Sequence, residues 1–565
     1  MSISRSALLL ALPLGLLLGC KDSGGAGKDA GTDSSTWPDA SGLHDASVPS
    51  DASGDGGQVV PEGLDLFEDQ DFVIPSNTQV GDTVGLVRLY PTLTVQAPVF
   101  SVVGGSASPY ALDPATGLLS VTESGGLSPG SQSFTARVDA AGGRDEAVMT
   151  VRVLDAANVV FIDPGNAADP AQDGTRAHPF ASISQASWQA GRAYLFRRGT
   201  TSVETEQVAI GADNILLGAW GAGPLPVIDS SATHGVSGWR KAGLEVRDLE
   251  VRSSDTSSVN WSSPTNLVVV GCVLHGGTWG IRFTGDPPPE GVRVLWTEIY
   301  DTGDDGMFLQ NVLDLEIGAV HIHHVNTHWS PPETPETEAA GDGIQLHRVH
   351  GFRVHHSVID RTSSGNKFCF IANECSQGTF EDNVLSGPLE TPVGGASIYI
   401  GGTPLTETTV IRYNTFSGPT PGAIYSHATD LEIYGNIFVD LPRALWTNGG
   451  ALVFNNVFSG VPMGITGGGA VDARNNIFHL REATDQAFGS LGDLTQDHNL
   501  FSRDPGIPGA LVADPLFRDA DARDFRLQPG SPAIDQGVDV GLTEDRLGTP
   551  IPQGSGPDIG AFEWR

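Results

Sequence analysis

From residue 158 onward, apolar positions recur in a unit of about 20 to 30 residues, the period of a solenoid. The sharpest marker is an Asn followed two residues later by Phe or Leu: Asn383, Asn414, Asn436, Asn456, Asn476 and Asn499 all open such a triplet. Upstream units put Cys272, Thr297, Val320 and Ser357 at the same point. A second apolar series follows each marker, with Ile281, Met307, Ile344, Phe368, Ile398, Ile424, Leu445 and Ile465 expected in one column. Phe283, Leu309, Leu346, Phe370 and Ile400 repeat the pattern two positions later. A third alternating stretch precedes the marker, as in Leu315-Glu316-Ile317 and Leu431-Glu432-Ile433. Three short strands per unit, with side chains alternating in and out, predict an all-β chain built as a right-handed parallel β-helix. The Asn amides should stack inside it as a ladder, and Cys272 should pack in the core. A leucine-rich repeat would need a fixed leucine pattern, which is absent.

The pattern changes before residue 158. Between Phe72 and Asp155, short alternating runs such as Val99-Phe100-Ser101-Val102 and Leu118-Leu119-Ser120-Val121 are separated by Gly, Pro and Ser. That predicts a small antiparallel β-sandwich over residues 67–157. Residues 21–66 are mostly Gly, Ser, Ala and Asp with few large apolar side chains; burial there does not offset ordering entropy, so a tether is expected. Residues 1–20 carry Arg5 and an apolar run from Ala7 to Leu18, which fits a signal peptide and is too short to span a bilayer. The β-helix should then cover residues 158–500, with 501–565 as its closing segment.

Charge narrows the partners. A formal net charge of −36 argues against nucleic acid, whose phosphates need a basic face. A polyanionic glycan would need a local cation or basic cluster. Past Cys20 the chain has Cys272, Cys369 and Cys375. In an exported protein Cys369 and Cys375 are the candidate disulfide, and no zinc-type cysteine pairing is present.

Candidate chemistry gathers on a few units. The stretch from Gly306 to Gly343 is longer than its neighbours and contains Trp329 and a Pro/Glu run. The assumed register puts Asp305, Asp342 and Asn366 at one place on three successive units, with Asp304 beside them and Lys367 next to Asn366, pointing outward. Four lysines stand against 27 arginines, and only Lys241 and Lys367 belong to the folded body; a deprotonatable amine beside stacked carboxyls does what arginine cannot. If the substrate is a polyuronate, as the family resemblance given below implies, Arg348 or Arg361 would hold another of its carboxylates. Eight of the 15 histidines lie between His321 and His356. Tyr300, His323 and Asp360, then Asp301, His324 and Arg361, are expected in outward register. A solvated glycan-binding face, a transition-metal site and a Tyr/His acid–base site are all open there. Trp329, Tyr300, His323, Gln345 and Tyr399 are the candidate substrate-binding residues.

Several segments resemble known families. Leu17-Leu18-Gly19-Cys20 resembles the lipobox of bacterial lipoproteins, which implies lipidation at Cys20, a cell-envelope location and membrane attachment through that lipid alone. Gly81-Asp82-Thr83-Val84, Tyr110 to Leu119 and Val151 to Asp155 together resemble a cadherin-type repeat. The mid-domain acidic calcium motif is missing around Leu127-Ser128-Pro129-Gly130, and Asn77, Asp139 and Asp155 are what remain of the family's acidic places, so the expected role is a spacer. Phe161 to Ile183 resembles the entry segment of exported β-helix proteins, polysaccharide lyases among them. Ala513-Asp514-Pro515-Leu516-Phe517, Gly530 to Asp535 and Asp558 to Glu563 resemble the segment called choice-of-anchor Q.

Gly303-Asp304-Asp305-Gly306, Gly341-Asp342-Gly343 and Gly365-Asn366-Lys367-Phe368 resemble the turns of family 9 polysaccharide lyases. That resemblance implies calcium as cofactor, held by Asp304, Asp305, Asp342 and Asn366, with Lys367 as the base in β-elimination on a uronate-containing polysaccharide. The order of single and double Asp is reversed here, and the family's lysine falls later, in a slot held by Cys369. Two other readings stand beside it: an inverting glycoside hydrolase using Asp304 or Asp305 with Asp342, which needs carboxyls about 6.5 to 9.5 Å apart, and a non-catalytic surface adhesin or glycan-binding stalk.

Replacing Cys20 tests the anchor. Cys20→Ser is expected to leave the chain unlipidated, shown by its loss from the detergent phase on partitioning. A variant that still fractionates as a processed lipoprotein contradicts the lipobox reading.

Overall fold

The computed structural model describes residues 65–565 apart from 68–69, 91–97, 106–108, 124–126, 141–142, 232, 254, 326–340, 361–367, 387–395, 402–407 and 419–420. The chain coils as a right-handed parallel β-helix of about 12 turns. Each turn contributes a strand to each of three parallel sheets, of 14, 14 and 12 strands. In one turn, Leu313–Gly318 lies in the first sheet, His321–Ile322 in the second and Ile344–His347 in the third. A single buried apolar cluster fills the coil from Val160 to Phe501.

The corner between the first and second sheets explains the Asn marker. The residue before each marker turns in the left-handed region, as at Tyr413, Gly435, Asn455 and Asn475, where a carbonyl of the next rung no longer meets the marker's N–H. A side-chain oxygen replaces it. Asn436 Oδ1 accepts from Asn414 N at 2.9 Å, and Asn436 Nδ2 donates to Asn456 Oδ1 at 3.0 Å and to Ile411 O at 2.8 Å. The same relay runs from Asn383 through Asn499. Upstream, Ser357 Oγ accepts from Val320 N at 3.2 Å, and Cys272 packs as expected in the core. The Phe two residues after the marker stacks from rung to rung, with Phe438 and Phe458 at 4.9 Å and 8°.

One expected column is displaced. Met307 pairs with Ile344, but Ile344 pairs with Phe370, not Phe368. Phe368 packs instead with Ile371 and Ala396 in a separate apolar cluster, and Ala372 takes the place assigned to Phe370, opposite Leu346 and Ile400. The expected disulfide is also absent: Cys369 and Cys375 are both buried thiols with no sulfur–sulfur bond. Cys369 lies in the strand Phe368–Asn373 and Cys375 beyond the turn at Glu374. Extended chain at ~3.3 Å per residue carries them past the ~7 Å reach of a bridge, and Cys375 Sγ instead takes Val349 N at 3.4 Å.

The N-terminal strands form a four-stranded and a three-stranded sheet around their own core. One pairing departs from the antiparallel expectation: Asp71–Pro75 runs parallel to Gly143–Leu154. The sandwich is packed on the coil. It lies against the first sheet, where Val73 joins Phe161, Leu195 and Trp220, Arg152 bonds Glu245 at 2.6 Å, and Arg247 bonds Asp71 at 3.0 Å. Asp139 is spent on Arg144, and Asp155 caps a short turn. The C-terminal segment folds back along the second sheet, where Phe517, Phe525, Ile559 and Phe562 cover the outer faces of Ile437, Val457 and Ile477. The upstream part of that face is left polar.

The Asn relay makes a sharp prediction. Asn436→Leu removes a fully buried amide and strands its donors and acceptors, so it should destabilise the body by about 1 to 3 kcal/mol. Thermal or denaturant unfolding measures this. An unchanged midpoint would remove Asn436 from the inner stack.

Candidate functional site

The corner from the second to the third sheet repeats the device of the Asn corner with a different residue. Asp305 Oδ1 accepts from Asp342 N at 2.8 Å, and Asp342 Oδ1 accepts from Phe368 N at 2.9 Å. Each carboxyl therefore supplies the next rung's corner N–H. The glycine after each Asp is dictated by space. A Cβ on Gly306 would lie 2.6 Å from Gly343 O and 2.8 Å from Ile322, and one on Gly343 would lie 2.4 Å from Cys369 O and 2.7 Å from Ile359. The Asp-Gly pattern is thus a packed corner as much as a chemical motif.

Two consequences follow for the expected residues. Asp304, Asp305 and Asp342 do come together, but the third place in their row belongs to Phe368, because Ile344 pairs with Phe370. Asn366 and Lys367, with Arg361 and Trp329, lie outside the described residues, as does the side chain of Asp360. Arg348, expected to hold a substrate carboxylate, sits in the turn from third to first sheet and bonds Glu374 at 2.6 Å.

Burial sets the protonation of the carboxyl group. Asp304, partly exposed, is pushed up to about 6 by desolvation. Asp305, fully buried, is raised well above the usual carboxylate range by burial first and then by the charges of Asp304 and Asp342, with the Asp342 N–H pulling the other way. Charged carboxyls are costly in such a place, so neighbouring acids share protons near neutrality. As hard oxygen donors the three suit calcium. Two of them are nonetheless spent in part on backbone N–H groups, and among the described residues they do not converge as a ligand set within 4.8 Å; the group that does is Glu298, His321 and His323.

The third sheet carries a ridge beside this corner. Its outward column reads Arg282, Phe308, Gln345, Ile371, Tyr399, Tyr425 and Trp446 on successive rungs. Tyr399 and Tyr425 stack at 5.7 Å, Tyr425 and Trp446 at 4.0 Å and 6°, and exposed His427 meets Trp446 edge-on. Gln345 and Tyr399 were expected from the sequence. Phe308, Tyr425 and Trp446 were not, although the period of the inward column next to them would have placed them.

Tyr300 and His323 lie instead on the outer face of the second sheet. There His275, Tyr300 and His323 form one stack, at 4.8 Å and 6°, then 5.3 Å and 4°. Glu250 bonds His275 at 3.1 Å and Glu298 bonds His323 at 3.0 Å. Burial pushes the Tyr300 hydroxyl up to about 12, with Glu250, Glu298 and Asp301 adding to it. The expected substrate-binding set is therefore divided between two faces.

Raised carboxyl pKa values have a fixed sign in stability. The folded state holds protons that the unfolded chain releases, so stability is lost as pH rises from the unfolded value near 4 through the folded value. Asp305→Asn keeps an acceptor for Asp342 N–H and removes the charge. Its thermal midpoint should match or exceed the wild type at about pH 8, with the difference vanishing by about pH 4. A midpoint several degrees lower at about pH 8 would show that the carboxyl is ionised and stabilising.

No family model and no curated protein matches the chain. Among solved structures it is similar to pectate lyase Pel9A, at 14% identity over 72% of this chain and 96% of that one, with a TM-score of 0.31. It is also similar to the A-module of mannuronan C-5 epimerase AlgE4 from Azotobacter vinelandii, at 11% identity over 62% and 100%, TM-score 0.35. XylC in complex with xylose matches at 10% identity over 72% and 99%, TM-score 0.43.

Proposed function

We propose that this is a polysaccharide-active protein that lays a glycan chain lengthwise along the third sheet and cleaves it beside the Asp304–Asp305–Asp342 corner. The observation that carries the reading is a choice of residue. At the corner between the first and second sheets the acceptor is an uncharged Asn or Ser, which does the structural work without burying a charge. Here the chain uses Asp at the price of burying ionisable groups, and with Asp304 beside them this gives a proton donor held near 6. A general acid works best with a pKa near the operating pH, and a glycosidic oxygen must be protonated as it leaves, whether by elimination or by hydrolysis.

The ridge supports the substrate class. Tyr399, Tyr425 and Trp446 on three successive rungs, spaced by ~4.8 Å, give an extended sugar chain a continuous strip of stacked aromatic edges with polar groups beside it. Elimination from a uronate glycan, with Lys367 as base and calcium on Asp304, Asp305 and Asp342, is the form that agrees with the sequence resemblance. Calcium would supply charge neutralisation for those carboxyls and the uronate. Hydrolysis by Asp304 with Asp342 is the form that the carboxyl group alone supports.

A panel of pectate, alginate, neutral glycans and glycosaminoglycans tests the proposal. Unsaturated ends that depend on calcium and disappear in Lys367→Ala mark elimination; new reducing ends without unsaturation mark hydrolysis. In either case Asp304→Asn should lower turnover by about 100-fold or more, and Trp446→Ala should weaken chain binding by about tenfold. Binding without turnover on every glycan would make the protein an adhesin or stalk, and an unchanged rate in Asp304→Asn would remove the proposed acid.

A further inference from the structure

The outer face of the second sheet carries a cluster that the glycan reading does not use. Glu298 pairs in register with His321 of the next rung. His323 Nε2 lies 3.0 Å from Glu298 Oε1, and His321 Nδ1 lies 4.0 Å from the same oxygen. One ligand atom from each of the three falls within 4.8 Å of the others. His323 Nδ1 is 2.7 Å from His324 Nδ1. The tautomer that donates from His323 Nδ1 to His324 leaves His323 Nε2 as a lone pair aimed at the cluster, which is how a hydrogen bond to the far ring nitrogen fixes a metal-bound imidazole. The stack with Tyr300 fixes the plane of the same ring.

The first sheet contains a copy of this arrangement with one difference. Glu316 pairs in register with Arg353; His355 Nε2 lies 3.2 Å from Glu316 Oε1, and His355 Nδ1 lies 2.9 Å from His356 Nδ1. Spacing within the two triplets is identical and each Glu is the register partner of its triplet's first residue, so Glu316, Arg353, His355 and His356 correspond one for one to Glu298, His321, His323 and His324. In the copy a guanidinium, 3.9 Å from the carboxylate, supplies the cation. In the Glu298 cluster an imidazole nitrogen stands in that place, a ligand in the position of a fixed charge.

We propose that Glu298, His321 and His323 form a binding site for a zinc-class divalent transition metal. Two imidazoles and one carboxylate suit such ions rather than calcium or magnesium, and a His2Glu set leaves a coordination position for water or a substrate oxygen. Binding displaces the proton shared between His323 Nε2 and Glu298 Oε1 and ties two adjacent rungs together.

The test titrates zinc ion alone into the metal-stripped, tag-free full chain by calorimetry, with cobalt substitution read by its visible absorption. The wild type should bind one zinc at this site and give a cobalt spectrum typical of mixed nitrogen and oxygen ligands. His321→Arg, which rebuilds the Glu316 arrangement, and His323→Ala should each weaken zinc binding by about 100-fold or more and abolish the cobalt band. His355→Ala on the first sheet should leave both unchanged. Circular dichroism of each variant confirms the coil. Equal zinc affinity in wild type and His321→Arg, or loss of binding in His355→Ala alone, overturns the site.

Discussion

The structure depends on one constraint: where a strand of the coil turns into the next sheet, a backbone N–H loses its carbonyl partner one rung away and must be given another acceptor. A buried donor left unpaired costs about 1 to 3 kcal/mol, and the coil repeats that cost at every turn. The chain meets it with side-chain oxygens from an adjacent rung, the following one at the Asn corner and the preceding one at the Asp corner. Between the first and second sheets these are Asn383 to Asn499, each holding its neighbour. Between the second and third sheets, over two rungs, they are Asp305 and Asp342. The phenylalanines two residues past the Asn markers repeat in the same register from rung to rung.

Function enters through the exceptions to that economy. An amide satisfies a corner without charge, whereas a carboxyl must be desolvated and stays partly protonated. Asp304 and Asp305 are therefore acids shaped by burial. The outward faces diverge in the same manner. On the second sheet the C-terminal segment covers the apolar downstream rungs and leaves the glutamates, histidines and Tyr300 of the upstream rungs polar. On the third sheet Tyr399, Tyr425 and Trp446 remain as a ridge.

The repeat was legible because identical physics recurs every rung: the Asn ladder, Cys272 in the core and most of the inward column could be read from spacing. Register failed at one point, where Phe368 and Phe370 are equally apolar and two residues apart, so alternation alone cannot choose between them. The structure chooses Phe370 because Phe368 has Ile371 and Ala396 to pack against outside. That shift of two puts Phe368 at the third place of the acidic row. The Glu298–His321 pairing went unread because it runs across a rung gap that pattern reading does not measure, as does the bond from Arg348 to Glu374 one turn away. The cysteine pair misled through closeness in sequence, which an extended strand turns into distance.

Site-resolved carbon-13 NMR of the aspartate carboxyl carbons, with Asp304→Asn and Asp305→Asn as assignments, tests the central claim most directly. The account predicts that Asp304 titrates near 6 and Asp305 well above the ordinary carboxylate range, each moving when the other is neutralised. Two independent titrations at about 4 would contradict it, because the corner would then hold ordinary ionised aspartates with no proton to give.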